Sequence, residues 1–148
     1  MRPAHRAEVV TAKLARLRDG QPPRVLDLFS GCGGLSLGCE LDGAHIIGGV
    51  ELDPVAARSY ALNFHRSSIE EVEFHATSRD ITRTDPSALV KRLMPRCRPA
   101  RAVDIIVGGP PCQAFARVGR AKLREIMEHP EAFLKDARAT LYTHYLQY

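Results

Sequence analysis

Three stretches of this chain carry residue types that could do chemistry. The first reads Asp27-Leu28-Phe29-Ser30-Gly31-Cys32-Gly33-Gly34. Its glycines let the backbone bend sharply and approach a ligand closely. A helix following such a turn directs free amides and its positive dipole end toward an anionic group. The second stretch holds two acids. Glu51 lies 18 residues after Gly33, at the end of an apolar run, where a carboxylate can accept hydrogen bonds from ribose hydroxyls. Asp80 follows a third run and could reach an adenine amino group. Each acid alone reads as a loop carboxylate, but acids at successive strand ends line one crevice. Their spacing suits either a dinucleotide or S-adenosylmethionine. The third stretch is Gly108-Gly109-Pro110-Pro111-Cys112-Gln113-Ala114-Phe115. It places Cys112 at the carboxyl end of a strand, where α/β active sites form. Two prolines stiffen the loop and aim the sulfur.

These residues need elements to hold them. Residues 6–17 read as a helix, which Asp19-Gly20-Gln21-Pro22-Pro23 ends. Residues 24–29 and 44–50 have strand character, with a short helix at 35–41 between them. Asp53-Pro54 and Asp85-Pro86 are helix starts, because Asp caps free amides and Pro at the first helical position loses no bond. Those helices are expected to run to about residues 64 and 94. A third strand is expected at 72–76, a fourth at 103–107, and a last helix from Asp136. The alternation predicts an α/β fold with about four short parallel strands covered on both faces. Its crossovers should be right-handed.

The chain has 148 residues, enough for one domain. Hydrophobic residues at 45% and charged residues at 26% exclude a disordered, collagen-like or coiled-coil chain. No apolar run approaches the roughly 20 residues of a membrane span, and residues 1–10 lack a signal-peptide core. A cytoplasmic protein with no membrane partner is expected. The net charge of +4 permits an anionic partner without establishing one. Its excess gathers early, where Arg2, Arg6, Lys13, Arg16, Arg18 and Arg24 face only Glu8 and Asp19. The plain reading is a solvated helix face that covers the sheet. Cys32, Cys39, Cys97 and Cys112 form no CxxC pair, so neither a metal site nor a disulfide framework is expected. Cys39 and Cys97 read as structural residues, and Cys32 as a small side chain in the glycine turn.

Taken together, the stretches resemble the DNA (cytosine-5) methyltransferase family. Asp27 to Gly34 is similar to its first motif, Glu51-Leu52-Asp53 to its second and Asp80-Ile81-Thr82 to its third. Gly109-Pro110-Pro111-Cys112-Gln113 is similar to its catalytic motif, and Asp136-Ala137-Arg138-Ala139-Thr140-Leu141 to the one after. The resemblance runs from about residue 24 to the end and implies a Rossmann-like fold that uses S-adenosylmethionine. It implies that Phe29 stacks on adenine and that the backbone of Gly31, Cys32 and Gly33 holds the methionine end. Glu51 would bind the ribose, and Asp80 with the Ile81 amide the adenine edge. Leu141 would pack near the cofactor, and Ser30, Leu52 and Pro110 complete the cofactor-binding set. Cys112 would be the nucleophile, acting on a cytosine flipped out of double-stranded DNA. The enzyme would meet DNA at the nucleoid.

The sequence departs from the family pattern at Ala116, where Ser is usual, and at Ala139, where Asn or Gly follows the Arg. The family's Glu-Asn-Val and Gln-x-Arg-x-Arg motifs do not occur. The expectation is therefore a basic helical segment over residues 1–23 and a partial catalytic domain over residues 24–148. The family's strand order, 3-2-1-4, would leave the fourth strand as an apolar edge that recruits a partner. A truncated gene or shortened piece, or one half of a split enzyme with a complementing C-terminal half, would fit. Two alternatives compete: an inactive remnant that binds S-adenosylmethionine, and a nicotinamide dehydrogenase domain. Gly31, Gly33 and an offset Gly38 meet the dehydrogenase fingerprint only partly, and it leaves Pro111-Cys112-Gln113 unexplained.

Overall fold

The computed structural model describes residues 3–111 and 141–148. The chain divides into two units, Met1–Gly108 and Gly109–Tyr148. The first contains α1 (Pro3–Arg18), β1 (Arg24–Leu28), α2 (Gly34–Leu41), β2 (His45–Val50), α3 (Pro54–Phe64), α4 (Ile69–His75), α5 (Pro86–Leu93), α6 (Pro99–Ala102) and β3 (Ile105–Gly108). The second contains α7 (Leu141–Tyr145).

β1 is the middle strand of a parallel sheet of order β2-β1-β3. Val25, Leu26 and Leu28 are fully buried, as a parallel strand with both faces covered requires. Val25 pairs with Ile46 on one side and Ile105 on the other. Leu26 then pairs with Gly48, so Ile47 is an extra residue bulged out of the ladder. Ile46 and Tyr60 close the core around Val25, with Phe64, Cys39 and Val107 packed against it. The two Asp-Pro starts form as expected. Asp53 Oδ1 accepts from the Val55 and Ala56 amides at 2.9 and 2.8 Å, and Asp85 Oδ1 from the Ala88 amide at 2.6 Å.

One expected strand is a helix. Residues 72–76 lie largely in α4, so the described sheet has three strands rather than four. Ser68 caps this helix by accepting from the Glu71 amide at 3.2 Å, and Glu70 and Glu71 sit in its first turn. The Ser68-x-x-Glu71 start, with two acidic residues at the positive end of the dipole, outweighs the strand-like alternation of Val72-Glu73-Phe74. The remaining three strands keep the expected relative order. β3 starts two residues later than expected, because α6 occupies Pro99–Ala102.

The basic N-terminal helix is more than a solvated face. Arg16 and Arg24 both pair with Asp104 just before β3, the Arg24 Nε contact being 3.1 Å. Lys13 donates to the Val103 carbonyl, and Arg101 pairs with Glu8 at 2.7 Å. Burial lowers the Lys13 ammonium below its usual value, with Asp104 opposing.

α3 and α4 meet through two stacked imidazoles. The His65 and His75 rings lie 3.4 Å apart and nearly parallel. Burial pushes His65 down to about 4, with Glu71 opposing and His45 adding to the shift. Burial, His65 and Arg79 push His75 down to about 3. An unfolded histidine titrates near 6.5, so below that pH the unfolded chain binds more protons than the native one. Stability should therefore fall as pH drops from about 6.5 toward 4. Allowing for partial solvent access to His75, the loss between pH 7 and pH 5 should be roughly 2–3 kcal/mol. Urea midpoints at the two pH values check this, and His75→Phe should cut the difference by about half, since buried His65 keeps its own share. An unaltered drop in that variant would assign the acid sensitivity elsewhere.

Candidate cofactor and catalytic site

The turn between β1 and α2 starts with a strained residue. Phe29 has φ +59, a left-handed conformation that is uncommon outside glycine. Gly31 and Gly33 follow at φ +54 and +101. The Ser30 amide donates to the Val50 carbonyl at 3.2 Å, and the Gly33 amide to the Ser30 carbonyl at 2.9 Å. The turn is thus tied to the end of β2 as well as to itself. Gly33 caps α2, and a Cβ on it would meet the Phe64 ring at 2.1 Å. A Cβ on Gly31 would meet nothing within 4 Å.

Glu51 follows β2 and joins this turn. Its Oε2 accepts from the Gly31 amide at 2.8 Å and its Oε1 from the Asp53 amide at 2.9 Å. The glycine turn and the first acid therefore come together. Asp80 reaches the same end of the sheet without a strand to carry it. The Arg79 amide donates to the Glu51 carbonyl at 2.7 Å, and the Ser78 hydroxyl donates to the Leu52 carbonyl. Asp80 Oδ1 accepts from the Thr82 amide and hydroxyl at 2.9 and 2.7 Å. Ile81 is buried and Leu52 is exposed. Cys32 is exposed, while Cys39 and Cys97 are half-buried free thiols.

Beneath the turn lies a polar chain that the sequence reading missed. Asp27 is fully buried in β1 and accepts from the Ser36 hydroxyl at 2.7 Å. Ser36 Oγ lies 3.0 Å from the Tyr60 hydroxyl. Burial raises the Asp27 carboxyl above its usual range; the Ser36 bonds oppose this, and the Glu51 charge adds to it. Burial also pushes the Tyr60 phenol up. Asp27 Oδ1 and Ser30 Oγ, both buried, have no hydrogen-bond partner among the described residues. Asn63, four residues before the sharp Ser67-Ser68 turn, donates from Nδ2 to the Cys32 carbonyl at 3.0 Å. The available signal was the spacing of Tyr60, Asn63 and Phe64, which puts them on one face of α3.

Pro110 and Leu141 belong to the second unit, where Pro110 is half-buried and Leu141 opens α7. Cys112 and residues 113–140, including the expected helix from Asp136, lie outside the described residues. Among the described residues no group of three or more His, Cys, Asp or Glu side chains is placed to hold a metal ion. No described helix is long and apolar enough to cross a membrane.

Comparison with known proteins agrees with this arrangement. The family described as C-5 cytosine-specific DNA methylase matches residues 23–147. M.OihORF3336P of Oceanobacillus iheyensis, provisionally named a type II methyltransferase, is 40% identical over 131 residues, covering 88% of this chain and 26% of that protein. The type II methyltransferase M1.HphI of Haemophilus parahaemolyticus is 30% identical, covering 80% of this chain and 33% of its own length. M.XorII of Xanthomonas oryzae pv. oryzae, also a type II methyltransferase, is 29% identical, at 84% and 24% coverage. The chain thus spans about a quarter to a third of the length of these relatives. With a match across most of its residues, and with glycine turn and acid meeting at the ends of β1 and β2, the chain belongs to the C-5 cytosine-specific DNA methylase family.

Proposed function

We propose that this chain carries the cofactor-binding and nucleophile-bearing part of a DNA (cytosine-5-)-methyltransferase, with residues 24–148 as its partial catalytic domain. The observation that carries the reading is the Gly31–Glu51 junction, in a chain of this family, on a turn that opens at Gly31. The donor set fits S-adenosylmethionine: a glycine turn at a helix start, a carboxylate within reach for a ribose and a second acid held nearby. Phe29, Ser30, Gly31, Cys32 and Gly33 would form the cradle, with Glu51 on the ribose hydroxyls. Asp80 and the Ile81 amide would take the adenine edge, and Leu52, Pro110 and Leu141 would supply apolar contact.

When bound, S-adenosylmethionine supplies an electrophilic methyl group for C5 of cytosine. Cytosine C5 is a poor nucleophile by itself. The Cys112 thiolate adds to C6 of a flipped cytosine, which makes C5 electron-rich. After methylation the C5 proton is lost and the thiolate is expelled, restoring both the ring and the enzyme. Local positive potential must favour the thiolate at neutral pH.

Titration calorimetry with S-adenosylmethionine tests the cradle, and covalent capture on DNA containing 5-fluorocytosine tests the nucleophile. We expect binding that Glu51→Ala weakens roughly 10-fold or more, the scale of one lost hydrogen bond to a charged group. Capture by the chain, supplied with the remainder of a relative's catalytic domain, should disappear in Cys112→Ser. Binding without capture would favour the remnant reading, and absence of both would reject the assignment of these residues.

A further inference from the structure

One face of α3, carrying Tyr60, Asn63 and Phe64, grips the glycine turn from outside the sheet. Phe64 fills the space where Gly33 lacks a side chain, at 2.1 Å from an ideal Cβ. Its ring packs on Tyr60 with centroids 4.9 Å apart, and Tyr60 reaches Ser36 near the start of α2. Between them the Asn63 amide donates to the Cys32 carbonyl at 3.0 Å. That bond fixes more than one atom. The peptide joining Cys32 to Gly33 is planar, so its carbonyl and its N–H point in opposite directions. With the carbonyl held by Asn63, the Gly33 N–H is turned onto the Ser30 carbonyl at 2.9 Å. Both ends of this peptide are then occupied. The turn's shape therefore depends on a side chain 31 residues away.

We infer that Asn63 is a positioning residue for the glycine turn, holding the Cys32–Gly33 peptide in the orientation that shapes the cofactor cradle. It acts through the backbone of the turn and touches no reacting atom. The inference rests on the proposed cofactor reading for its effect on affinity, and on geometry alone for its effect on the turn. Asn63 is exposed, so truncating it leaves no cavity and the packing of α3 stays intact. A residue with a merely structural part would move the thermal midpoint and leave the turn alone.

The test uses the full chain, with S-adenosylmethionine as probe and the backbone amide resonances of Gly31 and Gly33 as a second readout. Asn63→Ala should shift both resonances in the ligand-free chain. It should also weaken cofactor affinity roughly 3- to 10-fold, the range for one hydrogen bond. Asn63→Asp keeps the size and loses the donor, so it should match or exceed that loss. The thermal midpoints of both variants should fall by no more than a few degrees, the scale of one exposed hydrogen bond. If the parent chain binds no cofactor, the cofactor reading fails and the resonances alone decide the inference. Unmoved Gly31 and Gly33 resonances, or unchanged affinity in a parent that binds, would overturn it.

Discussion

Gly33→Ala is expected to cost about 2–5 kcal/mol and to abolish cofactor binding. Two penalties add. An L-residue in the left-handed region costs roughly 1–2 kcal/mol, and Gly33 sits at φ +101. The new methyl would also meet the Phe64 ring at 2.1 Å, far inside contact distance. Overpacking of this kind costs typically about 1–3 kcal/mol. Moving the ring aside would sacrifice its packing on Tyr60 and against the core around Val25. Against a total stability of about 5–15 kcal/mol the loss is large. Urea unfolding measures it directly. A double-mutant cycle with Phe64→Leu separates the two parts, because the smaller side chain relieves the clash and leaves the backbone strain. The double variant should be less destabilised than the sum of the single ones. A Gly33→Ala chain within about 1 kcal/mol of the parent would show that the turn adapts.

The contrast between what was and was not legible in the residues has a physical pattern. Asp53-Pro54 and Asp85-Pro86 declare their helices within four residues, because capping is a local interaction. β1 and β2 were legible as short apolar runs, and Glu51 followed from the end of the second. α4 was misread because Val72-Glu73-Phe74 alternates like a strand over three residues, while the Ser68 cap lies just upstream. The consequence for the site is small. Asp80 was expected at the end of a strand; it arrives beside Glu51 through a loop that makes a backbone bond to the Glu51 carbonyl. The Tyr60–Ser36–Asp27 chain and the Asn63 contact join separate elements. The spacing of Tyr60, Asn63 and Phe64 marks a shared face of α3, but no local pattern names the partners of that face on other elements.

The same holds for Asp104, whose partners Arg16 and Arg24 are 88 and 80 residues away in sequence. Its side chain is 3% exposed, and it accepts from the Arg24 backbone amide at 2.9 Å as well as from both guanidinium groups. Asp104→Asn keeps the shape and removes the charge, leaving Arg16 and Arg24 close together with Lys13 nearby. Removing one partner of a fully buried ion pair costs about 3–5 kcal/mol and an exposed pair is worth about 0–1 kcal/mol, so this part-buried cluster should fall between them, at about 2–3 kcal/mol. The loss should appear in the urea midpoint, and protease should cleave α1 faster, because Arg16 is that helix's ionic tie to the residue before β3. Acid gives a second signature. Burial alone would raise the Asp104 carboxyl, but the Arg24 bonds and the Arg24 and Arg16 charges hold it below its usual value. A carboxylate depressed in the native state stabilises fully above its unfolded value of about 3.9 and loses that contribution as pH falls through the native value. The stacked histidines act at higher pH, between about 6.5 and 4. Acid unfolding should therefore have two separable causes. His75→Phe should remove the His75 share of the upper loss and leave the share of buried His65, and Asp104→Asn should remove the lower one while reducing stability at neutral pH. If Asp104→Asn unfolds at the same urea concentration as the parent at pH 7, the ion cluster does not hold α1 to the sheet.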